Sequence, residues 1–139
     1  MGFTTADGYV KRCVRYLLLG EESRAAKHSW LLTAFILAQL LNYIDEIRSG
    51  VCPFCKKRPR NLFNHLTRDD FCRTAFNSLV MRGVELHRNY GLINRRNIRA
   101  GVARVIFDHG CYIDLRKSES VEELAKKIRE AMERCLGQQ

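Results

Sequence analysis

The sequence predicts a mainly α-helical protein of the α+β class, a helical bundle with an embedded metal-binding finger and a short C-terminal β-hairpin. Several segments repeat apolar residues at the i, i+3 and i+4 spacing of amphipathic helices. Three cysteines and one histidine fall within 21 residues at the spacing of metal ligands. Two short runs rich in β-branched and aromatic residues flank a turn near the C-terminus. The length of 139 residues favours a single domain, 1–139.

The N-terminal part is predicted to contain two helices. An apolar stripe runs through residues 5–19, and Gly20 ends this first helix. Residues 21–48 form a second, longer helix that is apolar nearly all round over 30–44. A helix without a polar face is buried either in a core or in an interface. Two alternatives therefore stay open for helix 30–44: burial by other helices of the same chain, or a homodimer built through it.

The next stretch carries the pattern Cys-x2-Cys-x9-His-x6-Cys, whose ligands are Cys52, Cys55, His65 and Cys72. Zinc takes four tetrahedral sulfur and nitrogen ligands, and two cysteines separated by two residues can bind one ion from a tight turn. Seven residues of straight helix would place the Cα atoms of the last two ligands about 10 Å apart, which is too far. The chain is therefore expected to break at 67–70. We predict one structural Zn²⁺ per chain.

The same residues resemble a known family. Cys52-Pro-Phe-Cys55, then Leu-Phe-Asn-His65-Leu, then Cys72 are similar to C2HC zinc fingers, as in small basic proteins of archaea and their viruses. The resemblance is limited to residues 50–76, here called the finger, and it implies the four metal ligands. No linker precedes the finger, so we expect a C2HC zinc finger embedded in the domain.

The C-terminal part is predicted to begin with a helix capped by Asp69, because an aspartate can accept a hydrogen bond from the first turn. Its buried stripe is expected to include Phe71 and Phe76. The predicted elements are, in order, a helix over 70–90, a short helix within 92–100, strands over 102–107 and 111–115 joined by the loop 108–110, and a last helix opened by a capping box at 120–123.

Three cysteines lie outside the finger, namely Cys13, Cys111 and Cys135. Each falls on an apolar periodic face, so we expect core packing, and a disulfide among them remains an alternative in a hyperthermophilic source. The polar start of the chain lacks the basic region of a signal peptide. The apolar run of helix 30–44 is shorter than the roughly 18–20 residues of a membrane span. These features predict a protein of the reducing cytoplasm that does not enter membranes.

The positive charge is confined to one region. The formal net charge is +9, and residues 56–104, here called the basic tract, contain twelve Lys or Arg against three acids, a balance of +9. The rest of the chain is neutral. A confined basic region is typical of a protein with a polyanionic partner. We predict the phosphate contacts at Lys56, Lys57, Arg58, Arg60, Arg88, Arg95, Arg96, Arg99 and Arg104.

These observations favour a zinc-stabilised nucleic-acid-binding protein, with transcriptional regulation as one role. A helix, a short Arg-rich helix and a hairpin in series would suit a winged helix-turn-helix-like unit that places residues 94–100 near a groove. Aromatic residues of the basic tract fall mostly on predicted buried stripes, which disfavours base stacking on single strands. Duplex DNA is therefore preferred over RNA, although the sequence does not separate the two directly.

Two other function classes stay open. A protein-interaction module would use the apolar helix 30–44 and would bind an acidic protein surface. A HEPN-type ribonuclease would use an Arg-x4-His motif, which occurs at Arg82–His87 and again at Arg104–His109. We nevertheless expect no enzyme, because a fully liganded zinc leaves no open position for water and no zinc-protease or zinc-deaminase motif is present.

Overall fold

The structure is a computed structural model that describes residues 8–19, 30–91 and 95–137. Within these residues it contains seven α-helices and one antiparallel hairpin with a single 3-10 turn. The elements are, in order, α1 (Gly8–Leu19), α2 (Trp30–Leu40), α3 (Ile44–Arg48), α4 (Leu62–Arg68), α5 (Asp70–Tyr90), α6 (Arg95–Arg99), β1 (Val102–Ile106), the 3-10 turn Asp108–Gly110, β2 (Tyr112–Arg116) and α7 (Val121–Cys135). The predicted fold class, a mainly helical bundle with a C-terminal hairpin, is confirmed.

Helix α2 lies between two hydrophobic cores. Phe35 and Leu37 belong to the first core, which contains the hairpin and α7. Ile36 and Leu40 belong to the second core, which contains α1, the finger and α5. Nine of the eleven residues of α2 are buried in a single chain. The apolar circumference of this helix is therefore covered without a second copy, as the first of the two sequence alternatives requires.

Helix α5 crosses α2 at very short range because Gly83 faces it. A Cβ atom at this position would lie 2.8 Å from the Ile36 Cα and 2.9 Å from the Phe35 carbonyl oxygen. Both neighbours are backbone atoms, so neither can move by a simple rotamer change. The absence of a side chain at Gly83 sets the distance between α2 and α5.

The hairpin closes over the first core, since Val105 of β1 and Leu115 of β2 are fully buried there. Its strands pair antiparallel, with Val105 opposite Ile113. The turn contains two positive-φ residues, Gly110 at 74° and His109 at 62°. The glycine was expected there, whereas a histidine in the left-handed region is an unexpected strained position.

Several sequence expectations about these elements are wrong or fall outside the described residues, and the predicted helix start over 5–7, the helix end at Gly20 and residues 92–94 belong to the latter group. The long helix 21–48 is interrupted by a turn at 41–43. The exposed Asn42 lies there, and an asparagine side chain can compete for the backbone hydrogen bonds of a helix. The part of this helix over 21–29 lies outside the described residues. Cys111 and Cys135 form a disulfide that joins the hairpin turn to the end of α7, so the disulfide alternative holds. Cys13, in contrast, is a buried core thiol as expected.

Among the described residues, no helix combines the length and the apolar character that crossing a membrane requires.

Candidate metal centre and basic surfaces

The turn after α3 presents the first two ligands of the finger. The backbone N–H of Cys52 donates to the Lys57 carbonyl oxygen at 2.9 Å, and the Lys56 N–H donates back to the Cys52 carbonyl at 2.8 Å. Lys56 reverses the chain with φ of 65°. This compact turn is the structural form of the Cys-x2-Cys spacing, and it brings the Cys52 and Cys55 side chains to the same side.

Helix caps position the other two ligands. Asn61 caps α4 by accepting from the Asn64 N–H at 3.0 Å, and α4 carries His65. Asp69 then ends α4 and starts α5: its N–H donates to the His65 carbonyl at 3.0 Å, and its carboxylate accepts from the Cys72 N–H at 3.1 Å. The chain therefore breaks where the sequence requires it, and the predicted Asp69 cap is confirmed.

The four ligand atoms of Cys52, Cys55, His65 and Cys72 all lie within 4.8 Å of one another. The Cys55 sulfur is 3.4 Å from His65 Nε2. Cys52 and Cys72 are buried in the second hydrophobic core, whereas the other two ligands are half-buried. Three thiols and one imidazole converge here on a volume that could hold one metal ion.

The pKa values of Cys55 and Cys72 are shifted in opposite directions. A hydrogen bond from the Lys57 backbone is the main cause that lowers the pKa of the Cys55 thiol to about 7. Burial, together with the neighbouring cysteines, raises the pKa of the Cys72 thiol far above its ordinary value. The Cys72 N–H bond also lowers the pKa of the Asp69 carboxyl. Metal binding must therefore displace a proton from Cys72, and a cation at the centre supplies the energy for this.

The basic tract does not form one surface. Its first group follows Cys55, in the turn and loop of the finger at the N-terminal end of α5, whereas the second group lies on α6 beyond the C-terminal end of α5. From Cys72 to Tyr90 the helix rises about 27 Å at 1.5 Å per residue. Five of the predicted contact residues are exposed, and their side chains appear in no ion pair or hydrogen bond within the described part of the chain: Lys57 and Arg60 in the first group, Arg88 near the end of α5, and Arg96 and Arg99 on α6.

Three other predicted contact residues are exposed but have intramolecular partners. Lys56 forms an ion pair with Glu46 at 2.8 Å. Arg58 donates to the Ser49 carbonyl at 2.9 Å. Arg104 donates to both carboxylate oxygens of Asp114, at 2.8 and 3.3 Å, and lies over the ring of Tyr112. The side chain of Arg95 lies outside the described residues.

The first Arg-x4-His motif contains a histidine with a packing role. The ring of His87 contacts Phe35 edge-on, with ring centroids 5.7 Å apart. Burial lowers the pKa of His87, which favours the neutral form. In the second motif, Arg104 is paired across the hairpin and His109 lies in the turn.

Two features of this region were not anticipated from the sequence. Phe71, expected on the buried stripe of α5, is 69% exposed beside the ligand Cys72, so this expectation is wrong. Arg15 of α1 lies over the ring of Phe63 at 5.0 Å, which brings N-terminal cations to the finger.

No family model, curated protein or solved structure matches this chain.

Proposed function

We propose that this protein is a zinc-stabilised nucleic-acid-binding protein whose ligand is duplex DNA. The observation that carries the proposal is the Cys3His cluster together with the exposed cations that the same finger presents. Transcriptional regulation is a role consistent with such a protein. We place it in the cytoplasm, where the three finger thiols stay reduced. The Cys111–Cys135 disulfide is compatible with this location because intracellular proteins of hyperthermophiles are rich in disulfides.

The ligand geometry supports zinc as the metal. A tetrahedral ion with sulfur at about 2.3 Å and nitrogen at about 2.0–2.1 Å would separate a sulfur from a nitrogen by about 3.6 Å and two sulfurs by about 3.8 Å. The Cys55–His65 separation of 3.4 Å is close to the first value, and the limit of 4.8 Å for the whole cluster needs only small side-chain movements. Four protein ligands make the site structural, in the C2HC class.

The charge distribution supports a polyanionic ligand. Lys57 and Arg60 on the finger and Arg96 and Arg99 on α6 are exposed at the two ends of α5. Phosphates of one strand of B-DNA repeat every 3.4 Å, so a separation of about 27 Å corresponds to about eight base pairs. One duplex lying along α5 would contact both groups. A contact at one end only would leave the other group without a role.

The order of elements supports a winged helix-turn-helix-like mode of binding. Helix α5, the short α6 and the β1–β2 hairpin follow one another, and α6 packs against β1. In this mode α6 would approach a groove and the hairpin would contact the backbone. The exposed Phe71 adds a stacking surface that duplex DNA does not need, which is why single strands belong in the test.

The test is a salt-dependent binding titration with random-sequence duplex DNA, single-stranded DNA and duplex RNA. If about five phosphates are contacted, log K falls with log[salt] at a slope between −4 and −5 for the duplex. The variant Arg96→Ala/Arg99→Ala and the variant Lys57→Ala/Arg60→Ala should each reduce the slope by about 2, one unit per lost contact. The matched control, Lys126→Ala/Arg134→Ala, removes two exposed cations from α7 and should leave the slope nearly unchanged.

Equal slopes for all three double variants would refute the assigned surface. Binding to an acidic protein but to no nucleic acid would favour the protein-interaction alternative instead. That alternative has lost its first support, because α2 is covered within one chain and is not an exposed docking helix. A homodimer through helix 30–44 would appear as a doubled molar mass in light scattering.

A further inference from the structure

A cavity of about 240 Å³ opens between α1, α4 and α5, where the finger meets the N-terminal helix. It does not contain the metal ligands, and none of its lining residues is among the predicted phosphate contacts. We call it the α1–α4–α5 pocket. Its lining comprises four cations, three uncharged polar side chains and two apolar ones: Lys11, Arg15, Arg68, Arg73, Asn64, Thr67, Asn77, Phe63 and Leu66.

The charge of this pocket is unusual. Among the described residues that line it, there are four cations and no carboxylate. Lys11 and Arg15 are one turn apart on α1, a spacing at which like charges repel each other. Arg68 and Arg73 face the same space from two different helices. Tertiary folding thus gathers positive charge from parts of the chain that are distant in sequence, and such a cluster attracts anions.

Two residues of the lining each contain a buried polar atom without a hydrogen bond. Within the described part of the chain, Arg73 Nε and Asn77 Oδ1 are buried and have no partner. The nearest acid, Asp70, reaches only the Arg73 Nη2 atom, at 3.6 Å, and its own side chain is 97% exposed. A buried polar atom without a partner destabilises the fold, and a ligand that bonds to it removes this cost. The Nε–H group of Arg73 is therefore available to donate a hydrogen bond to a ligand.

One polar group of the lining is already satisfied, since Thr67 donates its hydroxyl hydrogen to the Phe63 carbonyl oxygen at 2.8 Å. Arg15 lies over the Phe63 ring, which favours a position at the edge of the pocket. Among the buried polar atoms of the lining, the unsatisfied donor belongs to Arg73, and the unsatisfied amide oxygen to Asn77, one turn further along α5.

We propose that the α1–α4–α5 pocket binds a phosphate group. Arg73 donates its Nε hydrogen to one phosphate oxygen, because a guanidinium matches the geometry of a phosphate. Asn77 donates to the same group after its amide rotates by 180°, which exchanges oxygen for NH₂. Lys11, Arg15 and Arg68 balance the negative charge. The inference goes beyond the proposed function, since the phosphate can belong to a small phosphomonoester as well as to nucleic acid.

The first experiment titrates the zinc-loaded protein with inorganic phosphate at constant ionic strength, replacing chloride. Calorimetry should give saturable binding at one site per chain, and the Arg73 Nε–H resonance should shift in the NMR spectrum. Arg73→Gln and Lys11→Gln should each weaken binding at least tenfold. Lys126→Gln, which removes an exposed cation from α7, should bind as the wild type does.

A second set of probes identifies the source of the phosphate. Tighter binding of adenosine monophosphate than of inorganic phosphate, with no binding of adenosine, identifies a phosphomonoester. Competition of inorganic phosphate with duplex DNA, lost in Lys11→Gln, identifies a backbone phosphate. Circular dichroism of each variant controls for folding, and the exposed Lys11 provides a test even if Arg73→Gln unfolds the protein.

The proposal is overturned if phosphate does not saturate, or if Lys11→Gln and Arg73→Gln, both folded, bind it like the wild type. It is also overturned if the Arg73 Nε–H resonance does not respond to phosphate. None of these results would alter the salt slopes assigned to Lys57, Arg60, Arg96 and Arg99. The failure of this proposal is therefore distinguishable from a failure of nucleic-acid binding.

Discussion

Adding one methyl group at Gly83 is the most direct test of the helix packing. In Gly83→Ala the new Cβ would lie 2.8 Å from the Ile36 Cα and 2.9 Å from the Phe35 carbonyl oxygen. Comfortable contact requires about 3.5 Å or more. Since both neighbours are backbone atoms of α2, the two helices must separate by about 0.6–0.7 Å along the whole crossing.

The expected magnitude combines two opposite effects. Overpacking of a filled core costs about 1–3 kcal/mol, and the upper end applies here because the displaced atoms are backbone. Replacing glycine by alanine inside a helix returns about 1 kcal/mol. We therefore expect Gly83→Ala to lower the free energy of unfolding by about 2 kcal/mol. For a domain of this length that corresponds to a fall in Tm of about 6–10 °C.

The assay is urea unfolding in the presence of zinc, followed by circular dichroism and by fluorescence of Trp30, the single tryptophan, which is buried in the first core. The matched control is Ser78→Ala, an exposed position in the middle of the same helix, where helix propensity rises and an exposed hydrogen bond from the Ser78 hydroxyl to the Thr74 carbonyl oxygen is lost. This control should be stabilised by up to about 0.5 kcal/mol. If Gly83→Ala is as stable as the control, α2 and α5 do not cross at the distance described.

Three further predictions concern the cysteines. Cys72→Ser should abolish the binding of one zinc per chain and unfold the finger, while Cys13→Ser should retain the metal; elemental analysis and circular dichroism distinguish these outcomes. Zinc affinity should fall as the pH drops, because binding displaces the proton of Cys72, and the fall should steepen below about 7, where protons also compete for the Cys55 thiolate; a pH-independent affinity would contradict this. Cys111→Ser should lower the free energy of unfolding by up to about 3 kcal/mol, since the disulfide with Cys135 closes a loop with a sequence separation of 24. Reductant should destabilise the wild type and leave Cys111→Ser unaffected.

Local features of the fold could be predicted from the sequence because each depends on a few adjacent residues. The cap at Asp69 and the cap at Ser120, which accepts from the Glu123 N–H at 3.1 Å, follow directly from residue type and position. The metal cluster was predictable for a similar reason, since ligand chemistry restricts the spacing of its members. In these cases local preference and the final structure agree.

Features that depend on distant residues could not be predicted. The pocket that contains Lys11 and Arg73 exists only because α1 packs beside α4 and α5, which no periodic pattern specifies. Phe71 was assigned to the core, but the buried stripe of α5 runs through Cys72, Phe76 and Val80, so this ring meets solvent. A sum of charges over a contiguous segment likewise misses cations that folding brings together from elsewhere.

The finger shares its apolar interior with the helices around it, and this has a consequence for modularity. Fingers joined by flexible linkers can be cut out, duplicated or transplanted, because each one is a self-contained unit. Here Cys52 and Cys72 are buried beside Ile36 and Leu40 of α2, and α2 also supports the hairpin on its other side. A segment excised at 50–76 would lose the wall against which its ligands pack. The whole bundle, and not the finger alone, is consequently the unit that can be duplicated or transplanted. New binding properties would arise by substitution of residues on its surface.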